Sequence, residues 1–157
     1  MIAQVRDIVK LSTDWVLTKD ERLALYFESA QALDTEGDAQ GAFNLYFHSL
    51  SLVDAKNASK YQKEAEKLIA NAVKGPEVIN FEEVLMIESV QDLKKSSKEL
   101  FEFVDLFLKD EVAAFKKNIS SMKKVMEAQN ISVEQATLKK QYIDVCSIQS
   151  ETISFKN

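Results

Sequence analysis

Residues that interrupt helices are nearly missing from this chain: 157 residues include 3 glycines and 1 proline. Residues that carry most side-chain chemistry are equally scarce, with 1 His and 1 Cys. Three isolated glycines cannot build a glycine-rich phosphate loop. A single Cys146 with no second cysteine and no nearby histidine leaves out the zinc and redox motifs. No apolar run approaches the ~20 residues that cross a bilayer. Met1 to Val5 does not form a signal peptide either, because Arg6 and Asp7 interrupt the apolar stretch. Charge of one sign is also lacking: 20 Lys+Arg stand against 25 Asp+Glu, interleaved, for a net charge of -5. Such a chain has no broad field to draw it to a phosphate backbone, which argues against nucleic acid as its primary ligand. The lysine pairs Lys94-Lys95, Lys116-Lys117, Lys123-Lys124 and Lys139-Lys140 read as solvated helix faces. Cysteine usage fits a reducing compartment, the cytoplasm or the nucleus, of which the cytoplasm is the expected location.

What remains is helical periodicity, with no strand pattern to interrupt it. A first stretch carries Ile2, Val5, Ile8 and Val9 and ends near Thr13-Asp14-Trp15. Thr18-Lys19-Asp20-Glu21 is a capping box opening a second helix, on which Leu23, Tyr26, Phe27, Ala30 and Leu33 recur. Gly37 stops that helix, and Asp38 starts the next, with Ala39, Ala42, Phe43, Phe47, Leu50 and Val53 expected on one face. Asn57 is expected to cap a fourth helix bearing Tyr61, Ala65, Leu68, Ile69 and Ala72, which Gly75-Pro76 terminates.

Beyond Pro76 the spacing predicts a short helix through Phe81, Val84, Leu85 and Ile87, then a tight connection over residues 89–93. Ser96-Ser97-Lys98-Glu99 reads as a second capping box. The helix it opens, with Leu100, Phe103, Val104, Phe107 and Leu108, is apolar nearly all round and is expected at the centre. Val112, Phe115, Ile119, Met122 and Met126 form a stripe to about Gln129. After Asn130-Ile131, the box Ser132-Val133-Glu134-Gln135 opens a last helix with Ala136, Ile143, Val145 and Ile148, ending near Gln149. Residues 150–157, with Ile153 and Phe155, read as the start of a further element.

Helices that follow one another with so few breaks cannot each cover their own apolar stripe, so they stack. The expected fold is all-α, a right-handed superhelical array of helical hairpins of the tetratricopeptide/HEAT kind, over a single domain, 1–157.

Candidate chemistry is thin. His48 sits beside Phe47 with no nucleophile or orienting acid in local reach, so it reads as a structural or surface histidine. Cys146 reads as a small half-buried residue. The carboxylates, such as Glu82-Glu83 and Glu64 with Glu66, occupy solvated helix positions rather than a converging pair. No catalytic, cofactor-binding or metal-binding residue stands out. Trp15 lies at a helix junction, where it either plugs the space between adjacent helices, the more ordinary role, or anchors an interface.

Several short words are more specific. The segment from Phe81 through Leu93, followed by Leu100 through Leu108, resembles the middle of PCI-domain proteins, in particular the subunit M family of translation initiation factor 3. Val112, Phe115, Ile119 and Met122 match that family's next segment. Gln4 through Asp7, Asp14 through Thr18, Asn57-Ala58-Ser59 and Ala70 through Pro76 match upstream spacing. The resemblance covers most of the chain and rests on apolar patterning. It implies a non-catalytic scaffold without cofactor, bound to other initiation factor 3 subunits of the PCI and MPN types and indirectly to the small ribosomal subunit. No membrane and no small-molecule substrate enter that reading. Its sister reading is a PCI subunit of the proteasome lid or the signalosome; an enzyme or lipid-binding array is disfavoured by the absence of polar residues within the stripes. PCI proteins follow the helical array with a winged-helix module, expected to lie beyond residue 157. Ile148, Ile153 and Phe155 are therefore expected to be poorly covered unless a partner packs there, and with Trp15 they are the candidate interface residues.

Overall fold

The computed structural model describes residues 7–10, 12–13, 15–109 and 112–154, with side chains described as far as residue 147. Its regular structure is helical throughout, with no strand among the described residues. Residues 7–10 and 12–13 are helical, and Ile8 packs against the core; Ile2 and Val5 lie outside the described residues.

Helix α1 (Lys19–Thr35) opens on the capping box expected for it: Thr18 Oγ1 accepts from Glu21 N at 3.3 Å, and Glu21 Oε2 accepts from Thr18 N at 2.8 Å. The main-chain and hydroxyl hydrogen bonds from Thr18 hold the Glu21 carboxyl below its usual range. Gly37, at φ 85°, closes the helix in the left-handed region that a side chain would disfavour. Helix α2 (Ala39–Ser51) follows at once, its first turn capped by Asp38, whose carboxylate accepts from Gly41 N at 2.9 Å. Its buried stripe is Ala42, Leu45, Tyr46, Ser49 and Leu50. Phe43 and Phe47, expected among those residues, are only partly buried and lie on the flank, because the stripe centres on Ala42 and Tyr46.

The expected cap at Asn57 is displaced. Asp54 ends the preceding loop in an extended conformation, residues Ala55–Tyr61 form a 3-10 helix, and Asn57 N bonds back to Asp54 O at 2.9 Å. Helix α3 (Gln62–Lys74) buries Ala65, Leu68, Ile69, Ala72 and Val73 between α2 and the later helices. Gly75 ends it as expected, and the site leaves no room for a Cβ: one built there falls 2.9 Å from both Asn71 O and Gln40 Oε1.

Helix α4 (Phe81–Met86) is capped by Asn80. The tight connection expected over residues 89–93 is instead helix α5 (Glu88–Ser96), separated from α4 only by the extended residue Ile87. Burial of Val90 and Leu93, both 0% exposed, drives it. The second capping box is not formed, since Ser96 closes α5 and helix α6 (Lys98–Lys109) begins one residue later than that box requires. Ser97 Oγ donates instead to Glu66 on α3 at 3.0 Å.

Helix α6 is central, as its composition predicts. Phe107 stacks on Phe81 at 4.7 Å between centroids, meets Phe103 edge-on at 5.4 Å and tilts against Phe115 at 4.9 Å. All four rings are essentially sealed from solvent. The stripe from Val112 onward is split into α7 (Val112–Asn118), a 3-10 turn at Ile119–Met122 and α8 (Lys123–Ala128). Ser120 and Ser121 hydroxyls bond to the Lys117 and Asn118 carbonyls, the local competition that interrupts a helix. Asn130, at φ 53°, turns the chain. The third capping box closes with Gln135 N to Ser132 Oγ at 3.1 Å and Ser132 N to Gln135 Oε1 at 3.0 Å. It opens α9 (Val133–Ser154), longer than the expected end near Gln149. One continuous apolar core runs from Leu23 to Ala136.

Candidate interaction surfaces

Helix α9 has two distinct faces. The inner one carries Ala136, Lys139, Lys140 and Ile143 at i, i+3, i+4 and i+7. Lys139 and Lys140 were expected on a solvated face, yet they are only 6% and 4% exposed. Their ammonium groups close two helix ends. Lys139 Nζ donates to the carbonyl of Gly75, just past α3. Lys140 Nζ donates to Phe107 O, in the last turn of α6, at 3.0 Å and pairs with Asp144 at 2.7 Å. Carbonyls at a helix C-terminus have no intrahelical donor and carry partial negative charge, so a buried cation is stabilised there. Burial pushes the Lys139 amine down to about 8, against a smaller opposing influence from Cys146. In sequence the pair looked solvated because nothing local shows that two helix ends meet this turn.

The outer face of α9 carries Leu138, Tyr142 and Val145, at 65%, 49% and 55% exposure. Spacings of four and three residues place them on one side, opposite the lysine anchors. Val145 was expected among the core residues and is instead part of this solvent-facing stripe. The neighbouring Cys146 raises the Tyr142 phenol above its ordinary value, first through charge and then through a hydrogen bond. Cys146 itself is half-buried and unbridged, as expected.

Of the four candidate interface residues, Trp15 lies in a turn and is 57% exposed beside the fully exposed Val16. It does not plug a gap between helices; the open turn at residues 15–16 leaves its ring in water. Ile148 and Ile153 lie on the α9 backbone, with side chains outside the described part, and Phe155 lies outside the described residues. The exposed apolar residues missed from sequence are Leu138 and Tyr142, which drew no assignment, and Val145, which was counted with the core residues of the last helix.

A cleft of about 490 Å³ opens between the start of α4, the end of α6 and α9, bordered by Phe107, Lys140, Asp144 and Cys146. Its one buried ammonium is already engaged by Phe107 O and Asp144. His48 meets Tyr26 edge to face at 5.4 Å, and the Tyr26 hydroxyl bonds to Ser12 Oγ at 2.5 Å. The histidine is thus a packed ring at the α1–α2 contact. Among the described residues, no group of three or more His, Cys, Asp or Glu side chains is placed to hold a metal ion, and no helix is long and apolar enough to cross a membrane.

Comparison with known proteins gives a consistent relation. Over 105 residues, 64% of the chain, it is 30% identical to eukaryotic translation initiation factor 3 subunit M of Aspergillus clavatus, and the match covers 22% of that protein. The same subunit of Aspergillus terreus is 31% identical over 105 residues, again 64% of this chain and 22% of the relative. That of Aspergillus oryzae is 29% identical over 107 residues, 66% of this chain and 22% of the relative. The chain is therefore similar to a part of subunit M, and its matched region spans 22% of the length of these curated relatives. No family model matches the chain, and no solved structure matches it significantly.

Proposed function

We propose that the chain is the helical-repeat part of a PCI-type scaffold subunit of translation initiation factor 3, acting without catalysis in the cytoplasm. The observation that carries this reading is the similarity to subunit M over about two thirds of the chain. The physical character of the surface supports it. Apolar anchors at Leu138, Tyr142, Val145 and Trp15 stand among charged neighbours, the composition of a protein contact rather than of a reaction centre. In this reading α9 faces neighbouring PCI or MPN subunits with its outer stripe, while Lys139 and Lys140 fix it to the array. The small ribosomal subunit is reached through those neighbours rather than by direct contact.

Affinity purification of the tagged chain from its own cells, followed by quantitative mass spectrometry, tests the reading. Initiation factor 3 subunits are the expected partners, and their recovery falls when Leu138, Tyr142 and Val145 are all changed to Glu. Enrichment of proteasome-lid or signalosome subunits in their place would overturn it.

A further inference from the structure

Helix α2 has a second stripe that the array covers only in part: half-buried Phe43, Asn44 and Phe47 and exposed Ser51, at helical spacing and turned away from the Ala42–Tyr46–Leu50 row, with the buried Gln40 at its start bonded to Glu77 N. This stripe faces α4 and the turn before it. Between the two walls lie adjoining clefts of about 310 and 300 Å³, which share Phe47 and Glu83. The floor is apolar. Phe43 and Phe47 are half-buried with centroids 5.7 Å apart, and Ile79 and Met86 are 44% and 77% exposed at the opposite edge. From Gln40 to Ser51 the groove runs about 16 Å, or about three helical turns.

Its charge is of one sign. Although the chain has 20 Lys+Arg, neither wall contains one: residues 37–55 and 75–93 lack both types. The second wall instead carries Glu77, Glu82, Glu83, Glu88 and Asp92. Glu77, Glu83 and Glu88 border the clefts, are exposed, and form no salt bridge with a lysine or arginine among the described residues. Glu83 accepts a hydrogen bond from Asn80 Nδ2 at 2.7 Å, which holds its carboxylate at the junction of the clefts. An apolar floor of this length beneath an unneutralised acidic rim is complementary to one kind of occupant.

We propose that the α2–α4 groove docks a basic amphipathic helix of a protein partner. Apolar side chains at i, i+4 and i+7 lie on the Phe43, Phe47 and Met86 floor, and lysine or arginine side chains flank them toward Glu77, Glu83 and Glu88. The groove and the α9 stripe share no residue, although Glu77 on its rim is near enough to act on the Tyr142 phenol, and the proposal does not depend on the translation reading.

The test uses a fluorescein-labelled helical peptide of about 14 residues built from leucine and lysine, with a leucine/glutamate peptide of the same pattern as control. Anisotropy should show the lysine peptide binding and the glutamate peptide not. The double variant Glu83→Lys/Glu88→Lys should weaken binding about tenfold or more, as should Met86→Glu on the exposed floor. The double variant Glu127→Lys/Glu134→Lys makes the same change in net charge on a distant surface and should have little effect. Amide shifts in the ¹⁵N spectrum should move along Gln40–Ser51 and Glu77–Glu88. Equal weakening by the two double variants, shifts confined to another face, or no binding of the lysine peptide would overturn the proposal. So would a concentration-dependent dimer abolished by Met86→Glu, which would assign the groove to a second copy.

Discussion

The two ends of this array are held together by different kinds of packing. In the first three helices small residues lie at the contacts: Ala30, Ala42, Ala65 and Ala72 are all fully buried. Neighbouring backbones approach closely there, and larger rings such as Phe27 and Tyr61 fill the edges, with Phe27 5.2 Å from Tyr61. From α4 onward short helices (α4, α5, α7 and α8) alternate with the longer α6 and α9, and the contact is a cluster of Phe81, Phe103, Phe107 and Phe115. Close approach needs regular helices of similar length, which is why the first region has the rhythm of a repeat. A cluster of large rings tolerates short helices at varied angles, so the second region can abandon that rhythm and still exclude water.

The largest effect should come from emptying the ring cluster. Phe107→Ala removes the ring that touches the other three and should cost about 3–5 kcal/mol in urea unfolding. Its counterpart in the first region is an excess rather than a gap: Ala42→Leu should cost about 1–3 kcal/mol by forcing α2 outward. If Ala42→Leu proves neutral, the close-packed description of the first region fails. Gly75→Ala is next, because its Cβ would lie 2.9 Å from a main-chain carbonyl that cannot swing away; a loss of about 1–3 kcal/mol is expected from thermal or urea denaturation. This turn joins the regions, with Gln40 Oε1 accepting from Glu77 N at 3.0 Å and Lys139 bonding to Gly75 O.

Lys139 adds a dependence on pH at the same junction. Its folded value is lowered from 10.5 to about 8, so between those values the unfolded chain holds a proton that the folded one has released. Folding stability therefore rises with pH in that window, and below about 8 both states are protonated and this contribution is flat. Urea midpoints measured from pH 7 to 9.5 should rise for the native chain relative to Lys139→Met. Above about pH 10 the buried Tyr46 phenol, raised to about 12 chiefly by desolvation, works in the opposite direction, so the comparison belongs below it. The smallest effect, about 1 kcal/mol, is expected for Thr18→Ala and Ser132→Ala, which remove one cap in each region.

Much of this was legible where the cause is local. The Thr18 and Ser132 boxes, the stop at Gly37 and the break at Gly75-Pro76 each depend on a few consecutive residues, and each appears as expected. The misses share a different cause. Helix α5 was hidden because a single extended residue, Ile87, separates it from α4. Phe43 and Phe47 were assigned to the core because two stripes on one helix are both apolar, and sequence does not say which meets a neighbour. Val145 was misjudged for the same reason. Among the candidate interface residues, only Trp15 has a described side chain, and it is 57% exposed.

Composition and periodicity by themselves determined that the fold is all-α and where several of its helices start or stop, because helix formation and capping act over a few residues. Only the tertiary structure decided that Lys139 and Lys140 lie inside, since their partners are carbonyls 64 and 33 residues away. It likewise decided which apolar face of α2 and α9 meets the core and which remains in water, a choice made by the shape of the neighbours rather than by the pattern itself.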